Sequence, residues 1–572
     1  MLFTLILATF ATPAATPLAS LPSALPQPQQ QMEAVDYFPA DTLAVIEFSL
    51  EPWDRLRKQT IAHPILRELR ILRTFSDQWE LELAESGNDP EYDSRQLLGQ
   101  SRIYVGVSGS LLSKGSLLIG IDLYDESIRP GVEKLMKGIS KEPYRKAGDS
   151  YLAIVPIGSK GKLSNEENLE LLDELISVAT PQTSADGGEA AIPYTLTQQD
   201  SWIQMHQELS SKDRMIGVWI ASEPWLDGHG SAITDLVAAE VGSSAQADMA
   251  MKMVVDMMGL KQFRGLAYSL EVAPPFIQER GVLFGSGPIM DIYHPYSDDA
   301  DECWDRLENC DGDSISSLVG GVNIGPFARR LFDQVTLMMG QMGYADVQSN
   351  PDFDYYVTPM LDFCDAMGPG VVSQISLERL ETTAQAETFI AVNDMDKAKD
   401  AIRAMAPKIL SGMELGLASA GSGFSVDWVK DGFVLMNDPD LDGKSKLKDQ
   451  PDFKATLPAM KKISGDTAPL FASYISPEYD AYFLSQLEYL AGTIADSTGQ
   501  ELLVDFSKLS DVSKNLQRMH PGFSVWTKQP GKILLQTQST FGTMPASSIV
   551  MLRAFQEQME AGQLLELDED EF

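Results

Sequence analysis

One apolar stretch recurs four times along the chain, each time held between an Asp and a Pro. Asp41 opens "DTLAVIEFSLEPW" and Asp213 opens "DRMIGVWIASEPW", so Glu-Pro-Trp occurs twice, at 51–53 and 223–225. "DTAPLFASYISPEY" keeps the same eleven-residue frame from Asp466 to Pro477, and "DSISSLVGGVNIGPF" stretches it to thirteen, from Asp313 to Pro326. The middle of each copy is apolar or β-branched, which suits a strand. Pro is preorganised for the first turn of a helix and lacks only an N–H that such a turn leaves free. Ser476 and Gly325 stand where N-caps belong, with Glu51 and Glu223 as weaker ones. The aromatic nearby (Trp53, Trp225, Phe327 or Tyr479) would wedge the helix onto the sheet. Glu-Pro-Trp therefore reads as a joint of the fold rather than a binding motif.

The segments after each joint also recur. Apolar residues return at three and four in "HPILRELRILRTFSDQWELELAES", "QADMAMKMVVDMMG", "ARRLFDQVTLMMGQMG" and "DAYFLSQLEYLAGTIA", as core-facing helices require. A strand pair comes next each time, for example "RIYVGVSG" with "GSLLIGIDL" and "GFSVWTKQ" with "GKILLQTQS". The pattern predicts an α+β fold: four repeats of strand, helices, β-hairpin and helix, arranged as two duplicated halves with antiparallel or mixed sheets. The first half spans 36–296, with units at 38–140 and 211–296 around an insert at 141–210. The second spans 305–562, with units at 313–412 and 465–562 around an insert at 413–464. An acidic linker at 297–312 joins them, and an acidic tail at 563–572 ends the chain.

The "PADTLAVI" opening, the "PDFKATLPAM" helix and the "LLGQSRIYVGVSG" stretch resemble a bacterial family of exported proteins known only as a domain of unknown function. The resemblance touches both halves and rests on loose strand and turn patterns. It implies export and repeated α+β structure, and brings no catalytic residue with it.

The amino-terminal stretch reads as a signal peptide over 1–24 and a Pro/Gln-rich linker over 25–35. Leu2 to Phe10 is apolar, Ala14, Ala15, Ala19 and Ala24 offer small residues for cleavage, and no charge precedes Glu33. No Lys or Arg follows Met1, and no Ala-x-Ala site is present. The expected location is the periplasm or the cell exterior. With 572 residues, 44% hydrophobic and 22% charged, the chain is globular and long enough for several cores. Its net charge of −38 repels phosphate backbones and anionic lipid, so nucleic acid is no expected partner. No later run approaches the ~18 apolar residues of a membrane span. Cys303 and Cys310, seven apart, would sit about 10 Å from each other on a helix, so a disulfide there needs an irregular segment.

Catalytic signatures are missing. His63, His206, His229, His294 and His520 are scattered, no Gly-x-Ser-x-Gly elbow occurs, and no dinucleotide fingerprint follows a strand. The one patterned cation candidate is "DPDLDGKSKLKD", which puts Asp438, Asp440, Asp442 and Asp449 at positions 1, 3, 5 and 12 with Gly443 at 6. That is the spacing of a calcium loop. Against it stand the shorter Asp at position 12, Ser445 in an apolar place, and Lys444, Lys446 and Lys448 beside the would-be cation. The alternative is an acidic turn whose lysines offset its charge. The run Asp298, Asp299, Asp301 and Glu302 is a second cation candidate, or else a solvated linker. The expectation is a non-enzymatic scaffold or binding module whose partner is a protein or an envelope component. The alternative is a hydrolase acting on envelope material, with its site between the halves.

Overall fold

The computed structural model describes residues 32–49, 100–112, 114–133, 144–156, 163–179, 195–209, 214–221, 262–273, 276–341, 351–377, 384–405, 425–436, 445–479 and 520–539. The first strands along the chain are β1 (Thr42–Ser49), β2 (Ser101–Ser108), β3 (Ser116–Leu123), β4 (Tyr144–Ala147) and β5 (Ser150–Pro156). They are followed by β6 (Arg214–Ala221), β7 (Phe263–Ala273) and β8 (Phe276–Gly285). Their pairings give the spatial order β4-β5-β3-β2-β1-β6-β7-β8.

A two-residue β9 (Tyr293–His294) lies against the end of β10 (Ser314–Val322). Then come β11 (Met367–Leu377), β12 (Ala384–Val392), β13 (Ser425–Val429) and β14 (Gly432–Met436). The last are β15 (Phe471–Ile475), β16 (Gly522–Gln529) and β17 (Lys532–Ser539). These run β17-β16-β15-β10-β11-β12-β14-β13. β8 meets β17 through Ile277 and Ser539, so the two flanks make one sheet of 17 strands among the described residues. The same order runs outward from that seam on both sides.

This corrects the expected fold class. In place of an α+β protein of four strand–helix units with antiparallel or mixed sheets, the described chain is one large sheet with few helices, and each of its pairings is antiparallel. The reason lies in pairing, which a local sequence pattern does not encode. An Asp-led strand looks the same whether it opens its own sheet or joins another unit's. Here β1 pairs with β6 and β10 with β15, so the units share one ladder. The inserts join it too: hairpin β4–β5 and hairpin β13–β14 lengthen the sheet at its two ends.

The described helices of eight or more residues are α1 (Asn165–Ala179), α2 (Asp200–Glu208), α3 (Ala300–Glu308), α4 (Ile324–Gln341), α5 (Pro351–Ala366), α6 (Met395–Met405) and α7 (Pro451–Ser464). At the third joint α4 already starts at Ile324, which puts Gly325 and Pro326 inside its first turn. At the fourth, a helical turn begins at Pro477, but the Ser476 hydroxyl has no hydrogen bond and so does not cap it. The Glu-Pro-Trp copies, and with them Trp53 and Trp225, lie outside the described residues.

Each flank buries aromatic side chains under a helix that follows a short 3-10 turn. On the first flank the turn Leu196–Gln198 leads into α2, and Trp202 packs edge-on against Trp219 with ring centres 5.2 Å apart. On the second the turn Leu447–Asp449 leads into α7, and Phe453 meets Tyr474 edge-on, also at 5.2 Å. The Leu196 amide donates to the Phe38 carbonyl, and the Leu447 amide to that of Cys310. Phe38 is fully buried and lies so close to Gly106 that a Cβ there would stand 2.3 Å from its ring. That contact explains the glycine in "RIYVGVSG".

Candidate functional site

β1 alternates sides, and Leu43, Val45, Glu47 and Ser49 share its buried face. An acid therefore occupies a core-facing phase. Glu47 is only 4% exposed and Arg214, at the head of β6, only 5%. An ionised carboxylate at such a depth needs a partner. Arg214 Nη2 supplies it at 2.8 Å from Glu47 Oε2, and Arg102 Nε lies 3.3 Å from Oε1. Gly217 pairs directly with Glu47 across β1 and β6. A Cβ on Gly217 would sit 3.0 Å from Glu47 Oε2 and 3.2 Å from Arg214 Cδ, so the missing side chain is the space that the ion pair fills.

The ring of His206 on α2 stacks on Trp202 at 4.7 Å, and its Nε2 lies 3.2 Å from Arg214 Nη2. A guanidinium only donates, so Nε2 accepts and the imidazole carries its proton on Nδ1. Burial first, then the charges of Arg214 and Arg102, push the His206 pKa down to about 4. Burial also works against the Arg102 charge, but Tyr104 and Glu47 outweigh it and hold Arg102 above the usual arginine range. Tyr104 is raised well above a normal phenol by burial and then by Glu47, and its hydroxyl donates to Glu33 Oε2 at 3.0 Å.

Three polar atoms of this cluster have no hydrogen bond: Glu47 Oε1, Arg214 Nε and the Trp219 indole nitrogen. They border a cavity of about 20 Å³ that Trp202, His206 and Tyr268 help to line. Such a volume suits a single water-sized molecule, one able to donate to the carboxylate and accept from the two N–H groups. An organic substrate does not fit.

A second acid lies beside the chain's first described turn. Asp122 Oδ1 accepts from the Ala34 amide at 2.8 Å and from the Ser150 hydroxyl at 2.5 Å. Burial raises its pKa to about 6 against those two hydrogen bonds.

Of the calcium-loop candidates, Asp438, Asp440 and Asp442 lie outside the described residues. Asp449 is exposed, in the turn that leads into α7. Lys446 and Lys448 point to the Asn309 carbonyl and side-chain oxygen, at 3.3 and 3.2 Å, and so tie this loop to the end of α3. In the other acidic run, Asp299 caps α3 by accepting from the Asp301 amide. Cys303 and Cys310 are free thiols, donating to the carbonyls of Ser297 and Arg306. Among the described residues no group of three or more His, Cys, Asp or Glu is placed to hold a metal ion, and no helix is long and apolar enough to cross a membrane.

Sequence reasoning misses the Glu47 cluster. Its one local signal is that Glu47 is the sole charge between Asp41 and Glu51, in phase with Leu43 and Val45. Arg102, His206 and Arg214 are brought to it by strand pairing and by a helix from an insert.

No protein-family model matches the chain, and no curated protein matches it. A solved structure titled "Structure of crystal form I of TP0453" aligns with a TM-score of 0.21 and 9% identity, over 45% of this chain and 81% of that one. A likeness that loose carries no argument about fold or function.

Proposed function

We propose that the chain is an exported, non-enzymatic scaffold or binding module that works in the periplasm or outside the cell. The observation that supports this reading is the use made of its buried charges. Glu47 is committed to Arg214 and Arg102, Glu271 lies 3.8 Å from Arg280, and Glu279 accepts from the Tyr268 hydroxyl at 2.8 Å. These acids bind neighbouring side chains inside a continuous sheet, which rigidifies a broad surface. A catalytic carboxylate would instead have to reach a substrate. The leader-like amino terminus favours the exported setting.

Mild cross-linking of the native protein in its own cells, followed by purification and mass spectrometry, tests the proposal. A stoichiometric protein or envelope polymer on the purified chain is the expected result. A chain that comes out alone, or that turns over envelope material in a hydrolase screen, overturns it.

A further inference from the structure

We propose that α2 is a proton-operated latch between the two flanks, with His206 as its sensor and Glu208 as its bolt. The helix has nine residues, too few to persist in water without packing. It is held on the sheet by Trp202 against Trp219 and by His206 against Arg214. Two residues after His206, at the end of the helix, Glu208 pairs with Lys532 at the start of β17. β17 belongs to the second flank, so this ion pair crosses the seam. The seam carries few ladder hydrogen bonds: Ile277 pairs with Ser539 at one end, the Gly285 amide donates to the Gly531 carbonyl at the other, and between them Val282 and Leu534 belong to one buried core.

The charged and titratable groups around His206 decide what a proton would do there. β1 offers Glu47, β2 offers Arg102 and Tyr104, β6 offers Arg214 and β7 offers Tyr268. β17 offers Lys532, and α2 itself carries Asp200 and Glu208. Among the described residues Glu47 is the one carboxylate in the buried cluster, and it already serves two guanidinium groups. A proton on Nε2 removes the acceptor for Arg214 Nη2 and leaves two cations 3.2 Å apart. The easiest relief is for α2 to leave the sheet, carrying Glu208 away from Lys532. Burial and the two arginines hold the imidazole neutral at pH 7, which keeps the latch shut there.

Hydrogen exchange on the full chain at pH 7 and pH 4.5, corrected for intrinsic rates, reads the latch directly. Protection over 200–209 and 532–539 is expected to fall about tenfold at the lower pH, while α7 on the second flank keeps its own. In His206→Gln, whose amide oxygen still accepts from Arg214, both falls should vanish. If that variant does not fold, His206→Leu serves, since α7 carries Leu457 at the matching place. In Glu208→Gln the helix should still loosen while β17 no longer follows. An unchanged fall in the His206 variant overturns the sensor, and a β17 that still follows in Glu208→Gln overturns the bolt.

Discussion

The two flanks of the sheet solve the same packing problem with different chemistry. Glu47 lies five residues past the first residue of β1 and opposite Tyr104, and Val319 lies five past the first residue of β10 and opposite Val372. Both strands carry the same register irregularity, between Thr42 and Ala44 and between Ser314 and Ser316. By that register Arg102, opposite Ser49, answers to Gly370, opposite Gly321. Counting from the aromatic anchors, His206 follows Trp202 by four and Leu457 follows Phe453 by four. Glu47 faces Gly217 where Val319 faces Ala472, so Arg214, three residues before Gly217, answers to Pro469. Every charged or titratable member of the first cluster thus has a neutral counterpart. The strand order does not need the charges, because the second flank builds it without them. Their role must be sought in specificity or in response to conditions.

The largest test takes the charges out of the first flank. Glu47→Val leaves Arg214 buried without its carboxylate and should cost about 3–5 kcal/mol, read by denaturant unfolding. Adding Arg214→Thr should recover a large part of that loss, because removing both charges lifts the desolvation cost along with the attraction. A neutral Glu47→Val would mean that the pair does no more than a surface ion pair and would erase the contrast between the flanks.

Next in size is a pair of opposed pH effects confined to the first flank. His206 has a folded pKa near 4 against 6.5, so the stability it contributes is present above pH 6.5 and is lost as pH falls toward 4. Asp122 runs the other way. Its folded pKa is about 6 against 3.8, so its contribution is full below 3.8 and is lost as pH rises through 6. Asp122→Asn should therefore raise stability at pH 7, by about 1–2 kcal/mol once its weaker hydrogen bonds are discounted, and gain nothing at pH 3. A loss at pH 7 would show that the carboxylate's hold on Ala34 and Ser150 outweighs its burial.

A smaller effect probes the space beneath the ion pair. Gly217→Ala presses a methyl group against Glu47 Oε2 and Arg214 Cδ and should cost about 1–2 kcal/mol. The cost should shrink when Glu47 and Arg214 are already replaced. An undiminished cost would place the strain in the backbone instead.

How far the sequence foretells this molecule depends on which interactions are local. The strands β1, β6, β10 and β15, and the hairpins after them, are visible as apolar runs between turn residues. The turn-and-helix pairs 196–208 and 447–464 are visible in their matched Leu-to-aromatic spacing. The joining of these pieces is not visible. Nothing near Asp41 or Asp213 says that the strands they open lie side by side, nor that β8 meets β17, so one sheet reads as repeated α+β units. The Glu47 cluster is hidden for the same reason. Its members sit at 47, 102, 206 and 214 and become neighbours only through the register of three strands and the docking of α2. The calcium-type spacing stands out because it is contiguous. Of its four acids, only Asp449 falls among the described residues.

The smallest effect concerns the place that Phe38 fills on one flank and Cys310 on the other. Both residues give their carbonyl to the amide that opens the following 3-10 turn, and both side chains are buried. Burial pushes the Cys310 thiol up to about 12, and it raises Cys303 and the half-buried Cys364 as well. A thiol attacks only as thiolate, so at pH 8 alkylation of the folded chain should reach Cys364 first and Cys310 last. A mild oxidant should leave Cys303 and Cys310 unjoined, because Cys303 lies within α3 and each thiol is turned to a different carbonyl. Mass spectrometry of the alkylated and oxidised protein reads both outcomes. Early labelling of Cys310 would mean that the second flank opens at the position where the first is sealed by Phe38, and the flanks would then differ in dynamics as well as in charge.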